Sequence, residues 1–274
     1  MWPPLDARYR AGMGVVLGDG DIERFVTDGF IRLERAFHPD LAARCVDELW
    51  SMLPVDRDDP TGWTQPVIRI SGSAHPDLVA AINTPRLVGA INDVLGGPGE
   101  WRPRLHGSGT FPVRFPSDAG PGDCGWHIDG SFGEPPWYRV NFASQGRALL
   151  LLMLFSEVTE RDAPTRIKVG SHRDVARALV DQGSDGVVFD ADTLAPAALA
   201  HETVLALGSA GDVYICHPFL VHAASWPHRG DQPRFVGQPC IHHPQGEWLG
   251  RFDYQDLTGD SPVKRAVREA IEQA

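Results

Sequence analysis

The chain of 274 residues carries 25 Lys and Arg against 36 Asp and Glu, a formal net charge of −11 with no basic stripe, which argues against nucleic acid as a partner. No apolar run approaches the roughly 20 residues that span a bilayer, and Met1-Trp2-Pro3-Pro4-Leu5-Asp6 lacks the basic and apolar regions of a signal peptide. Cys45, Cys124, Cys216 and Cys240 show no Cys-x-x-Cys spacing, so neither a zinc knuckle nor a disulfide framework is indicated, and the expectation is one cytoplasmic domain over residues 1–274.

Residues 21 to 28 read as a short helix ended by Gly29, followed by a strand at Phe30-Ile31-Arg32-Leu33. A longer helix starts at Pro39, with Leu41, Cys45, Leu49 and Leu53 at four-residue spacing. Thr84 can cap a helix from Pro85 to Leu95, whose apolar stripe is Leu87, Ile91 and Leu95, and Gly96-Gly97 stops it. Residues 1–100 are therefore expected to be mainly helical and to cover a sheet formed later.

From Trp101 the texture changes to short apolar runs separated by Gly, Pro and Asp, the pattern of an all-β sandwich or barrel, and this core is expected over 101–245. Leu149 to Phe155 is apolar on both faces, as a central strand covered from both sides should be. Further strands are expected at Thr203 to Leu207, Val213 to Cys216 and Phe235 to Ile241, with a helix near 174 to 182 and a loose Asp/Ala-rich loop between them. Residues 246–274 end in an amphipathic helix from Ser261-Pro262, with Val263, Val267 and Ile271 at four-residue spacing. The fold class that follows is mainly β with flanking helices.

Four His-x-Asp tripeptides occur, and context separates them. His38/Asp40 and His75/Asp77 have Pro in the middle and run into helical patterns, so they read as helix starts with an acidic first turn. His172/Asp174 also opens a helix. His127/Asp129 lies between a Gly/Pro/Asp loop and a strand-like run, where residues two apart point the same way. An imidazole beside a carboxylate, joined by a remote histidine, makes the facial triad that holds Fe(II) with three positions open.

The candidates for the remote histidine are His201, His217, His222, His228, His242 and His243. His217 and His222 are five apart and would face opposite sides of a regular strand, so at most one of them is a ligand. His222 is favoured because Arg234, twelve residues on, can return to the same cavity across a hairpin, and an enzyme using 2-oxoglutarate needs a guanidinium to grip the far carboxylate.

Phe25-Val26-Thr27-Asp28-Gly29-Phe30, Trp126-His127-Ile128-Asp129, Val169-Gly170-Ser171-His172-Arg173, Gly211-Asp212, His217-Pro218-Phe219-Leu220-Val221-His222 and Arg234, in this order and spacing, resemble the phytanoyl-CoA dioxygenase (PhyH) family of Fe(II)/2-oxoglutarate dioxygenases over most of the chain. The resemblance implies a double-stranded β-helix (a jelly roll, cupin-like), iron held by His127, Asp129 and His222, 2-oxoglutarate held by Arg234, and a structural His172. It implies O2 as the second cosubstrate and hydroxylation of an unactivated C–H bond of a small molecule, amino-acid-like or from secondary metabolism. Desaturation, epimerisation or cyclisation begin with the same hydrogen abstraction. Related halogenases replace the carboxylate ligand with a small residue, and Asp129 argues against that chemistry.

Trp126, Trp137, Tyr138 and Thr165 are candidates to line the substrate pocket, with Arg166 on the same strand as Thr165. Arg114, Arg139 and Arg147 are spare cations for an acidic substrate group, and Lys168 reads as exposed. Ser131 to Arg147 is long, polar and rich in Pro and aromatics, a candidate lid. Two other classes fit less well. A zinc hydrolase using the same three ligands leaves Arg234 without a job, and a non-catalytic barrel typically loses a ligand or the arginine, whereas here all four are present.

Overall fold

The computed structural model describes residues 15–101, 103, 109–134, 138–190, 196–243 and 259–273. Helix α1 (Asp19–Asp28) starts where the Asp21 carboxylate accepts the Gly18 N–H at 3.1 Å and ends at Gly29, which is left-handed at φ 83°. That position needs glycine twice over, for the backbone angle and because a Cβ there would collide with His172 Nδ1 and stand 2.8 Å from Leu220 Cδ1. Strand β1 (Phe30–Leu33) follows directly.

Both His-Pro-Asp motifs cap helices. His38 accepts the Asp40 N–H at the start of α2 (Pro39–Ser51), and His75 accepts the Asp77 N–H at the start of α3 (Pro76–Ile82). Each proline sits in a first turn that needs no N–H from it. Thr84 Oγ1 accepts the Leu87 N–H to open α4 (Pro85–Leu95), which Gly96 closes at φ 94°. The expectation of a mainly helical first hundred residues misses strand β2 (Val67–Ser71), which pairs with β3 (Thr110–Arg114). A pairing made across forty residues leaves little local pattern.

Strand β4 (Arg139–Val140) is short, and β5 (Arg147–Leu154) is the central strand. Then come β6 (Arg166–Lys168), α5 (Ser171–Leu179), β7 (Val187–Val188), α6 (Pro196–Ala200), β8 (Thr203–Leu205), β9 (Val213–Cys216), β10 (His222–Ala223), β11 (Val236–Gly237), β12 (Cys240–His242) and α7 (Pro262–Glu272). The larger sheet runs β1-β9-β5-β11, with β12 also on β5, and the smaller runs β10-β6-β8; the pairs are antiparallel. The strand expected at 235–241 is broken in two with Pro239 between its halves, since proline has no N–H for the ladder. The helix expected at 174–182 starts three residues earlier, at Ser171, and the Asp/Ala-rich stretch yields β7 and α6.

The two faces of β5 explain its continuous apolar run. Leu149, Leu151 and Met153 pack with the helices, among them Leu49, Leu87 and Val267. Leu150, Leu152 and Leu154 pack with Ile167 of the smaller sheet and with Tyr214 and Cys216. Each buried leucine contributes about 2 kcal/mol of transfer free energy. The result is a sheet-rich core with helices on one face of the larger sheet and the smaller sheet on the other. Among the described residues no helix is long and apolar enough to cross a membrane.

Candidate metal centre

His127 and His222 form an antiparallel pair in which each backbone N–H donates to the other's carbonyl, both at 2.9 Å. Side chains of such directly opposed residues lie on one face, and the imidazole centroids are 4.3 Å apart. In each ring Nδ1 lies beside a carbonyl two residues back, Gly125 O at 3.0 Å for His127 and Leu220 O at 2.9 Å for His222. A carbonyl only accepts, so each Nδ1 carries the hydrogen and each Nε2 keeps its lone pair. Burial, and then the neighbouring His127, push the His222 pKa down to about 4 against the pull of Asp129, so His222 is neutral at pH 7.

Asp129 follows two residues on, in the turn that leaves this isolated bridge rather than on a regular strand. Gly130, at φ 80°, turns the chain against Ser144, leaving no room there for a Cβ. The Asp129 carboxylate is engaged by β5 and β12 rather than by the imidazoles. Arg147 Nη1 is 3.5 Å from Oδ1, and the Cys240 thiol donates to Oδ2 at 3.1 Å. Accordingly, among the described residues no three His, Cys, Asp or Glu groups stand in a closed ligand arrangement. By donor type, two neutral imidazoles and a carboxylate still suit a divalent transition metal, provided the carboxylate is released from one of its partners.

Arg234 and Arg114 are paired through their backbones, Arg234 N–H to Arg114 O at 2.8 Å and Arg114 N–H to Arg234 O at 3.2 Å, and both are buried. Their charges differ in treatment. Arg114 Nη2 donates to both oxygens of Asp123 at 2.8 Å, and Asp123 also pairs with Arg69. Arg234 Nη1 donates to the Ala163 carbonyl, its Nε has no partner, and no carboxylate pairs with it among the described residues. Burial, and then the Arg114 charge, drive its pKa down to about 9. An uncompensated guanidinium in the interior is an anion site by its chemistry.

The other histidine candidates lie elsewhere. His217 is buried against His172, centroids 5.0 Å apart, and its Nδ1 accepts the Phe219 N–H at 3.1 Å. His201 Nε2 meets Asp174 at 2.6 Å, and His242 pairs with Arg147 in the sheet. His228 is buried between Ser117 and Asp162, where burial holds its pKa at about 4. His172 is fully buried with Nε2 at 3.1 Å from the Val26 carbonyl, holding α5 to α1.

Several pocket candidates are occupied otherwise. Trp126 carries Arg166 and Lys168 over its ring at 4.6 and 5.0 Å, and Lys168, expected to be exposed, is half-buried. Arg139 donates to the carbonyls of Asp185 and Gly186, both at 2.6 Å, and Arg114 is paired with Asp123. Thr165 is buried two residues ahead of Ile167, on the same interior face. Tyr138 is 45% exposed, and Trp137 lies outside the described residues. The stretch expected as a lid is tied down where it is described. Gln145 Nε2 donates to the carbonyls of Gly130 and Ser131, and Phe132 pairs with Arg139. Cys240 and Asp123 belong to the site neighbourhood without any signal in the sequence that marks them.

The description phytanoyl-CoA dioxygenase (PhyH) belongs to a family model that matches residues 25–236, a span that contains His127, Asp129, His222 and Arg234. The chain belongs to this family. Membership makes this PhyH chain an Fe(II)/2-oxoglutarate-dependent dioxygenase by class. No curated protein matches it. Among solved structures, the non-haem α-ketoglutarate-dependent carbocyclase SnoK from nogalamycin biosynthesis is 16% identical with a TM-score of 0.61, covering 85% of this chain and 88% of SnoK. EctD from S. alaskensis, in its apoform, is 20% identical with a TM-score of 0.59, covering 87% and 81%. HygX from Streptomyces hygroscopicus, solved with nickel, 2-oxoglutarate and hygromycin B, is 16% identical with a TM-score of 0.54, covering 84% and 88%. At these identities the PhyH chain shares the fold of those proteins.

Proposed function

We propose that this protein is a single-domain oxygenase with a double-stranded β-helix core, in which His127, Asp129 and His222 hold Fe(II) and Arg234 holds the distal carboxylate of 2-oxoglutarate. The reaction is hydroxylation of an unactivated C–H bond of a small molecule, amino-acid-like or a natural-product intermediate, with 2-oxoglutarate and O2 converted to succinate and CO2. The observation that carries this reading is the opposed imidazole pair, 4.3 Å apart, with both Nδ1 atoms committed to carbonyls and both Nε2 lone pairs left for a metal.

Bound iron supplies the oxidising power for the C–H bond, and the chain supplies orientation and charge. Neutral His222 needs no proton removed before it binds a metal at pH 7. Asp129 brings one negative charge, and Arg234 offers an anion two or more hydrogen-bond donors with no carboxylate paired to it among the described residues. Leu150, Leu152 and Ile167 line the interior between the sheets and exclude water from it. Because Asp129 is present, no ligand position is vacated for chloride, which disfavours halogenation.

Succinate release tests the reading. Iron-loaded protein incubated with 2-oxoglutarate, O2 and a panel of small acids and natural-product intermediates should form succinate, faster with a true substrate, and His222→Ala should abolish it. Succinate at background level with every candidate, together with zinc-dependent ester or amide cleavage by the same protein, would move the assignment to a hydrolase.

A further inference from the structure

The carboxylate of Asp129 has a different partner on each oxygen, and both partners come from one pair of strands. Arg147 opens β5 and is the register partner of His242, while Cys240 lies two residues earlier on β12. The guanidinium of Arg147 forms an ion pair with Oδ1 at 3.5 Å and makes no other ion pair and no side-chain hydrogen bond among the described residues. The thiol of Cys240 donates to Oδ2 at 3.1 Å. The neighbouring cations are committed elsewhere, Arg139 to two carbonyls and Arg114 to Asp123. Arg147 is thus the cation given over to Asp129.

A carboxylate that makes one bond to a metal leaves its outer oxygen to be fixed by something else. If that oxygen is loose, the group swings to chelate through both oxygens and takes a second coordination position. A thiol is a weak donor and a guanidinium a strong one, so when a metal competes for this carboxylate the thiol contact is the one that yields. We propose that Arg147 is a positioning residue that holds Oδ1 of Asp129 and restricts the carboxylate to a single bond to the metal through Oδ2, with Cys240 as the donor displaced. This rests on the assignment of Asp129 as a metal ligand.

The sign of the effect separates positioning from simple electrostatics. Removing a cation beside a dication site should, by charge alone, tighten metal binding. Loss of a positioning group should weaken it, by about ten- to a hundredfold. Calorimetric titration of the protein with Mn(II) therefore decides the matter in wild type, Arg147→Ala, Arg147→Lys, Cys240→Ala and Asp129→Ala, each checked for folding by circular dichroism. Arg147→Ala should bind Mn(II) about ten- to a hundredfold more weakly, Arg147→Lys should recover part of the loss, and Cys240→Ala should bind at least as tightly as wild type. Co(II) absorption adds a readout of coordination number, and Arg147→Ala should give the weaker bands of a more highly coordinated ion. Mn(II) affinity in Arg147→Ala equal to or tighter than wild type overturns the proposal while leaving Asp129 as a ligand. Wild-type affinity in Asp129→Ala instead removes the ligand assignment, and the role of Arg147 with it.

Discussion

Arg234→Met is expected to make the protein more stable and less able to bind 2-oxoglutarate. Arg234 is 2% exposed and, among the described residues, has one hydrogen bond from Nη1 to a carbonyl and an unpartnered Nε. Its fall from 12.5 to about 9 corresponds to roughly 5 kcal/mol of unfavourable charge burial as an upper bound. Methionine keeps most of the volume and gives up one hydrogen bond worth about 1 kcal/mol. Replacements of buried ions by apolar residues commonly stabilise by about 1–4 kcal/mol, and a gain of about 1–3 kcal/mol is expected here. Urea unfolding of the metal-free protein measures it. The companion measurement is the melting temperature with Mn(II), with and without 2-oxoglutarate. Wild type should gain stability from the cosubstrate because the anion neutralises the arginine, and the variant should gain none. A variant that is less stable than wild type and is still stabilised by 2-oxoglutarate would refute the view of Arg234 as a charge held in reserve for an anion.

Acid should unfold the protein earlier than its carboxylates alone require. Burial lowers His172 to about 3 and His228 to about 4, from 6.5, so the unfolded chain binds more protons below that ordinary value. Stability is then complete above pH 6.5 and declines as pH falls toward 4, which urea midpoints at pH 7 and 4.5 should register; equal midpoints would contradict the buried neutral state. Gly29→Ala combines a left-handed backbone cost of about 1–2 kcal/mol with a clash against His172 and Leu220 worth about 1–3 kcal/mol, so a loss of about 2–5 kcal/mol is expected in the same assay. A loss below 1 kcal/mol would mean that α1 and α5 separate easily.

What was legible in the sequence was what local chemistry decides. The proline-led helices with His38, His75 and Thr84 as caps, the left-handed stops at Gly29 and Gly96, and the doubly buried run of β5 all follow from neighbours a few residues apart. So did the separation of His127 from the histidines that cap helices, whereas His217 and His222 are set apart by the turn from His217 to Leu220 and not by the parity of a regular strand. The sequence did not reveal the partners of Asp129. Arg147 and Cys240 reach it through strand pairing, the latter from 111 residues away, and no period or spacing records such a meeting. The same holds for Arg114, which reads as a spare cation until the backbone pair with Arg234 and the bond to Asp123 are seen. Arg139 and Trp126 carry the residue types of a pocket, but their partners are loop carbonyls and cations.

The most direct test of the central claim is the visible spectrum of the anaerobic protein with Fe(II) and 2-oxoglutarate. A weak charge-transfer band should appear in wild type, disappear in His222→Ala, and require a much higher 2-oxoglutarate concentration in Arg234→Met. The absence of any band in folded, iron-loaded wild type, or a band unaffected by His222→Ala, would contradict the assignment of this centre.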